Sequence, residues 1–587
     1  MPAETLLSLV NVKLNGTPAS TDFLTALRFV EVDASLHMPA MATLEIADKT
    51  KNWVDDASLA IGKEIEISTI GNGEVGESTL NVIFKGVISA HEPRFDSASL
   101  YFPMVVRAYD RLHLLHRGSI TEAFTSVTDS DVAKKVIQAA GLSADVTATT
   151  VTNDHMMRGD LSSHELLQLL ARRNGFVTYT DGSTVHWKRA DQLNFPTVAV
   201  EFGKELLEFR PVVSTTGQVN EVQVSGWDRK QKRSVTGTAA TPDWALSAPA
   251  NVPRGPAAAQ SQFSSAKLHI SEPIQQQAAA DTLAHSTFNR MAASDLTGEG
   301  VMHGNSKVMP GGKLTISKVG ARFGGTYLVT RVRHVWGFGE AHLTNFWLGG
   351  MTSGTIGTLL SDDIRRPMSQ SAIAATVQIA VVTNNTDPDG LGRVKLKYPA
   401  LSESVESFWA PVVSAGAGND RGFFVLPEVN DEVLVSFVNG DLNQPYVLGG
   451  LWNGKDKTPT AQSAAASSSG VEIREFKTRV GHVLRFTDKQ GSEKIELIDK
   501  TGKNSLVIES AAGKFTINCE GPMTIKAGAD VKIEATGNVD VKANAEVKVS
   551  GATVNVEATG KLGLKAPMIE IAGSGMVKIS GGMVQLN

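Results

Sequence analysis

The chain changes its hydrophobic rhythm several times along its length. Up to about residue 115, apolar and polar residues alternate in short runs, as in Lys63-Glu64-Ile65-Glu66-Ile67 and Asn81-Val82-Ile83-Phe84, split by turn residues. A period of two puts alternate side chains on one face and predicts β-strands. The period then lengthens. Asp131 to Ala140 is amphipathic at helical spacing and stops at Gly141, a residue suited to the left-handed position after a helix end. Ser162 and Glu165 have capping-box spacing ahead of the run Leu166-Leu167-Gln168-Leu169-Leu170. Alternation returns near Phe176 and continues past Val224. A third helix is predicted from Pro273 to about Ala293, with Pro273 in its first turn, where a missing N–H costs nothing. Strands resume through Trp347. Residues 351–370 are polar and irregular and mark a boundary. A compact β unit spans about 371–456. Lys457 to Gly470 is rich in Ala, Ser and Thr without apolar period and reads as a linker.

The last stretch, 514–587, repeats. Two apolar residues with one residue between them recur as Phe515/Ile517, Met523/Ile525, Val531/Ile533, Val539/Val541, Val547/Val549, Val554/Val556, Leu562/Leu564, Ile569/Ile571, Val577/Ile579 and Val584/Leu586. Their first members step by 8, 8, 8, 8, 7, 8, 7, 8 and 7 residues. Each pair reads as a short strand, and the Gly, Ala, Asn and Ser residues between pairs read as corners. This predicts a β-helix. A circuit of a single-chain β-helix needs roughly 20 residues, so a repeat of 7–8 covers one face of a triangular prism. Three intertwined chains would complete each layer and remove the open edges. The expected trimer core is then the set from Val531 and Ile533 to Val577 and Ile579. The residues between the paired apolars face outward, and Lys532, Asp540 and Lys548 alternate in sign, as cross-chain charge pairs would require. Ten layers at about 4.8 Å make a rod roughly 45–50 Å long, close to the ~40–45 Å of a bilayer with its headgroups.

Composition narrows the function. The 587 residues set a prior of about four domains. With 42% hydrophobic and 20% charged residues the chain is not a disordered one. Lys and Arg number 56 against 61 Asp and Glu, so no overall basic bias points to nucleic acid. The single cysteine, Cys519, excludes an intramolecular disulfide and reads as a corner residue. The first residues show no signal-peptide pattern, and no apolar run reaches ~18–20 residues. Synthesis in the cytoplasm without a signal peptide is expected.

Chemical motifs are few. Gly71-Asn72-Gly73-Glu74-Val75-Gly76 has GxGxxG spacing, but a strand pattern follows it where a dinucleotide site needs a helix, so a hairpin loop is expected. Arg158-Gly159-Asp160 spells an adhesion tripeptide but precedes a helix cap and reads as a loop. His113 and His116 read as packed or surface histidines. No P-loop, GxSxG or HExxH occurs, and no histidine follows His482. We therefore expect no catalytic residue, no metal or other cofactor, and no enzymatic activity.

Within 371–456 several uncommon strings follow one another: Asp387-Pro388-Asp389-Gly390-Leu391-Gly392-Arg393-Val394-Lys395-Leu396-Lys397-Tyr398-Pro399, Ser407-Phe408-Trp409-Ala410, Gly418-Asn419-Asp420-Arg421-Gly422, Leu426-Pro427-Glu428-Val429-Asn430-Asp431-Glu432-Val433-Leu434-Val435, and Pro445-Tyr446-Val447-Leu448-Gly449-Gly450-Leu451-Trp452-Asn453-Gly454. In this order they resemble the OB-fold domain of the VgrG and phage-baseplate spike family. Asn430 stands where that family usually has glycine, and Asn also tolerates a positive φ. Asp110-Arg111-Leu112-His113 and Leu167 to Phe176 resemble weaker motifs of the family's hub.

The resemblance implies a mainly β protein: β-barrel hub domains with a few helices, an OB-fold, and a C-terminal intertwined trimeric β-helix. The implied division is a hub barrel at 1–115, an α+β insertion at 116–205, a second hub barrel at 206–365, the OB-fold at 371–456, a linker at 457–470 and a needle at 471–587. It also implies a homotrimeric spike of a contractile injection system that punctures a target envelope on sheath contraction. The hub would meet inner-tube and baseplate proteins. A conical PAAR-type tip protein would sit on Met583, Val584, Gln585, Leu586 and Asn587, with effector cargo as a further partner. The target membrane would be contacted mechanically. The N-terminal half looks more like spikes of extracellular phage-tail-like particles than of type VI secretion. The alternative is a trimeric fibre-like adhesin that binds a cell surface.

Overall fold

The computed structural model describes residues 10–48, 52–70, 80–98, 100–243, 255–337, 341–350 and 376–585. The GxGxxG stretch, the boundary segment 351–370, and Leu586 and Asn587 lie outside them. The described chain is mainly β and divides into two units, Met1–Thr458 and Pro459–Asn587.

The first unit is organised by one thirteen-stranded sheet. It takes Val10–Leu14, Leu27–Ser35, Met38–Asp48, Glu64–Ile70, Leu80–Pro93 and Phe102–Tyr109 from the first 115 residues, and Leu206–Val213, Leu296–His303, Gly325–Gly337 and Leu343–Leu348 from the later segment. The join is the antiparallel pair of Gly325–Gly337 with Leu27–Ser35, in register Arg331↔Ser35 to Gly337↔Phe29. Arg331 reinforces it with two hydrogen bonds to the Asp33 carboxylate, one of 2.9 Å from Nε to Oδ1. Trp336, from the later segment, is fully buried in the core formed by the first. The two stretches read as separate barrels therefore share a sheet. Among the described residues on either side of the GxGxxG stretch, Glu64–Ile70 pairs antiparallel with Leu80–Pro93.

Both helices of the insertion follow their sequence signals. Asp129–Ala139 starts two residues earlier than the amphipathic run, because Thr128 caps it in a capping box with Asp131. Gly141 follows it at φ +75°. Ser163–Asn174 is capped by the Ser162 and Glu165 box and ends at Gly175, left-handed at φ +68°. The two pack with strands Phe176–Thr180 and Thr184–Arg189 around Trp187, whose Nε1 donates to the Leu167 carbonyl at 3.3 Å.

The third helix corrects its expected start. It runs Gln277–Ala293, so Pro273 precedes it rather than occupying its first turn. The Ile274 carbonyl is taken by the Trp227 N–H at 2.9 Å, which keeps the chain extended after strand Lys267–Ser271. Two helices carried too little periodicity to be read: Thr21–Ala26, capped by Ser20, and the Ala-rich Gly255–Phe263.

Residues 378–450 form a five-stranded sheet in the order Ala410–Pro411, Arg393–Lys397, Gln378–Asn384, Glu432–Phe437, Pro445–Gly450. Its core holds Ala380, Val382, Val394, Leu396, Tyr398, Val433, Val435 and Val447, joined by Met157 from the insertion.

The second unit departs from the sequence reading in two places. The segment read as a bare linker carries a helical turn, Gln462–Ala465, and a hairpin of Ala466–Ser467 with Gly470–Val471. Next comes a five-stranded antiparallel meander: Ile473–Lys477, Val483–Thr487, Lys494–Ile498, Ser505–Glu509 and Lys514–Asn518. Phe515 and Ile517, counted by spacing as the first repeat, belong to its last strand, because Lys514–Asn518 pairs with Ser505–Glu509. Residues 519–585 form no hydrogen-bonded strand within the chain. They are extended segments separated by bends that begin at 520, 528, 536, 544, 552, 559, 567, 574 and 582.

Candidate functional site

The bends and the apolar pairs keep step. Each pair from Met523/Ile525 to Val577/Ile579 begins two or three residues after a bend begins, as does Val584. Corners therefore fall where the spacing puts them, at small or turn-forming residues such as Gly521, Gly528, Gly537, Pro567 and Gly582. Cys519 is exposed and directly precedes the first bend. Yet the expected core is bare in the single chain. Val531 and Ile533 are 60% and 74% exposed, and Val539, Val541, Val547, Val549, Val554, Val556, Leu562, Leu564, Ile569, Ile571, Val577 and Ile579 are all exposed as well. Lys532 Nζ lies 2.5 Å from Glu534 of its own chain. Met583 and Val584, two of the proposed tip residues, are exposed too.

The meander adds an apolar surface that the spacing argument missed. Its register places Phe476, Leu484, Leu497, Leu506 and Ile517 in one cross-strand row, and Arg474, Phe486, Ile495, Ile508 and Phe515 in the next. Nine of these ten side chains are apolar. The opposite face carries the row Glu475, Arg485, Glu496, with Arg485 Nε donating to Glu475 at 2.9 Å and Lys494 Nζ donating to Glu496 at 2.9 Å. Burial runs against polarity for this row: Glu496 is 6% exposed, beside Val483 of the same face at 7%, while Leu497, its neighbour in sequence, is 56% exposed. Alternation along each strand would have shown this, had the strands been paired with one another rather than counted as repeats.

In the OB-fold, the motif residues build its turns. Asp387 receives the Arg393 guanidinium and, on the same carboxylate, the backbone N–H of Asp389 and Leu391. That pairing holds its carboxyl below the usual carboxylate range. Gly390 and Gly392 sit at φ +66° and +69°, so the chain can wrap around it. Asn430 takes φ +78°, as its place in the motif requires, and its N–H donates to the Val382 carbonyl at 2.8 Å.

The OB-fold is fastened to the insertion. The Met157 N–H donates to Asn443 Oδ1 at 2.5 Å, and His155 Nε2 meets the Glu406 carbonyl at 3.1 Å. A cavity of about 340 Å³ lies at this junction. Several of its polar groups bond to neighbours: Arg173 to Asp129, Lys230 to Asp389, and Asn443 to Asp441. It reads as a structural seam.

The residues weighed for chemistry are absorbed by packing. Arg158 is 3% exposed and bonds to Glu122, Ser163 and the Leu161 carbonyl, so the adhesion tripeptide does not present its arginine. His116 stacks on His164 at 3.8 Å, and His113 Nδ1 meets the Asp110 carbonyl. Among the described residues, no group of three or more His, Cys, Asp or Glu is arranged to hold a metal ion. None of their helices is long and apolar enough to cross a membrane.

Two family models match. The Alg8 N-terminal domain covers residues 4–336, more than half of the chain. The type VI secretion system/phage-baseplate injector OB domain covers 378–452. The chain is 30% identical over 131 residues to type VI secretion system spike protein VgrG1a of Pseudomonas aeruginosa, spanning 21% of this chain and 20% of that protein. It is 32% identical over 113 residues to spike protein VgrG3 of Vibrio cholerae, spanning 19% and 11%. The fold is similar to a chain of the lidded Francisella PdpA–VgrG complex, with TM-score 0.50 and 10% identity over 87% of this chain and 79% of that one. The Alg8 N-terminal domain model matches more than half of the chain, so the chain belongs to that family, and its OB domain at 378–452 is similar to those of VgrG and phage-baseplate injector proteins.

Proposed function

We propose that this protein is the structural spike of a contractile injection system and works as a homotrimer. The observation that carries this reading is the stretch 519–585: regular corners, extended segments and a fully exposed apolar stripe, with no strand ladder inside one chain. Backbone N–H and C=O groups in such a segment need strand partners, and burying the stripe needs neighbours. Two further copies supply both. The trimer joins the inner tube and baseplate through its hub and carries a PAAR-type tip protein at Met583, Val584 and Gln585. Sheath contraction drives it through the target envelope, with effectors as cargo. Its work is mechanical, not catalytic: the relatives that match are named spike proteins, and the sequence carries no catalytic motif. Outward Lys532, Asp540 and Lys548 form charge pairs between chains. The particle is a free, phage-tail-like one released from the cell.

Light scattering of the purified full chain tests the assembly. A mass of three chains is expected, and a stable monomer would refute the reading. Electron microscopy of particles from the producing cells tests the machine: a spike density at the baseplate of free particles is expected, and its absence from them overturns this assignment.

A further inference from the structure

We propose that the meander Ile473–Asn518 is the registration module of the rod: three copies close over its apolar face, and that contact aligns the chains before the repeats assemble. This rests on the trimer reading above and goes beyond it by dividing the labour within the rod.

The first argument is the inverted burial. A lone sheet should cover its apolar face and leave its charges in water, since unpaired burial of charge is costly. Here the chain's own segment covers the face that carries these charges together with Val483, with the Thr460 hydroxyl donating to Glu475 at 2.6 Å, and Leu497 is left out. The apolar face is thus kept open within its own unit. Its occupant is the same face of further copies, by continuity. Ile517 ends one apolar row, and after a single bend Met523 and Ile525 begin the stripe that other chains must cover.

The second argument is the difference in hydrogen bonding. All four strand pairings of the meander are within one chain, joined by loops of four to six residues. Such local pairing forms early and at little entropic cost. The repeats have no such ladder and cannot form until other chains are in place.

The third argument is register. Slipping one chain by a repeat would set Val539 where Val531 stood and Val547 where Val539 stood, nearly the same side chains. A stripe that self-similar specifies its register weakly. The meander is not periodic in this way: Phe476, Phe486 and Phe515 stand at unequal places in its two rows. Three such faces fit in one alignment, and the repeats inherit it.

The test uses the full chain. Leu484→Glu with Leu497→Glu charges the meander's open face; Val547→Glu with Val549→Glu charges the middle of the repeats. The first pair is expected to lower the mass in light scattering threefold and to expose 519–585 to trypsin, with amide exchange confirming that the meander's own ladder persists. The second pair is expected to keep the mass of three chains. A trimer with protected repeats in the first variant overturns the proposal, and so does a monomer in the second. The second variant decides the matter even if the first loses its ladder. A monomeric wild-type chain would instead overturn the trimer reading itself.

Discussion

Arg393 clasps Asp387 with both arms, Nε to Oδ2 at 2.8 Å and Nη2 to Oδ1 at 2.7 Å, and their side chains are 9% and 3% exposed. Breaking one side of such a buried pair strands the other charge. Arg393 keeps Asp389 at 2.7 Å, which softens the loss. Asp387→Asn should therefore destabilise the OB-fold by about 2 kcal/mol, read as a lower urea midpoint. The pH sign follows from the depressed carboxyl. The pair's contribution is complete above the unfolded carboxylate range near 4 and is lost as pH falls below it. The midpoint difference between wild type and Asp387→Asn should shrink at low pH.

Asn430 occupies a left-handed position at φ +78°. Glycine enters that region freely, and asparagine more readily than other side chains. Asn430→Gly should leave stability within about 0.5 kcal/mol of the parent, whereas Asn430→Val should cost about 1–2 kcal/mol. Thermal melts of the three proteins check the order.

Gly237 lets the helix Gln277–Ala293 lie against its sheet. A Cβ there would come within 2.2 Å of the Ala280 carbonyl carbon and 2.3 Å of its oxygen. The obstacle is backbone and cannot rotate away. Gly237→Ala should cost about 3 kcal/mol and raise amide exchange along the helix.

Burial pushes His334 down to about 4, His342 to about 2 and His164 to about 3. His334 and His342 lie 3.1 Å apart, and Trp336 stacks on His342 at 4.0 Å. Below pH ~6.5 the unfolded chain binds protons that these native histidines refuse, so hub stability falls with acid down to about pH 4. Asp110, pushed up to about 7 by burial, opposes them, since its native form holds a proton that the unfolded one releases. The histidines outnumber it. Denaturation midpoints between pH 7 and 4.5 should drop, and His334→Gln should reduce the slope by about one proton.

What could be read beforehand was local. The capping box of Ser162 and Glu165, Gly141, the positive φ at Asn430 and the corners of the repeat each depend on residues a few positions apart, and each stands where its spacing puts it. The missed helix Thr21–Ala26 spans too few turns to show a period. Pro273 misled because a proline suits a first turn and an extended lead-in equally, and the Trp227 N–H chose between them.

The chain by itself determined its strand-forming alternation, its helix caps and the step of its repeats, because these follow from side-chain chemistry within a few residues. Tertiary structure alone decided which strand neighbours which. Arg331 and Asp33 meet across 298 positions to fuse two stretches into one sheet. Phe515 and Ile517 alternate just as Val531 and Ile533 do, yet the first two sit in a ladder within the chain and the others do not. A period of two says that a segment is extended; only the partner that takes its hydrogen bonds says where it belongs.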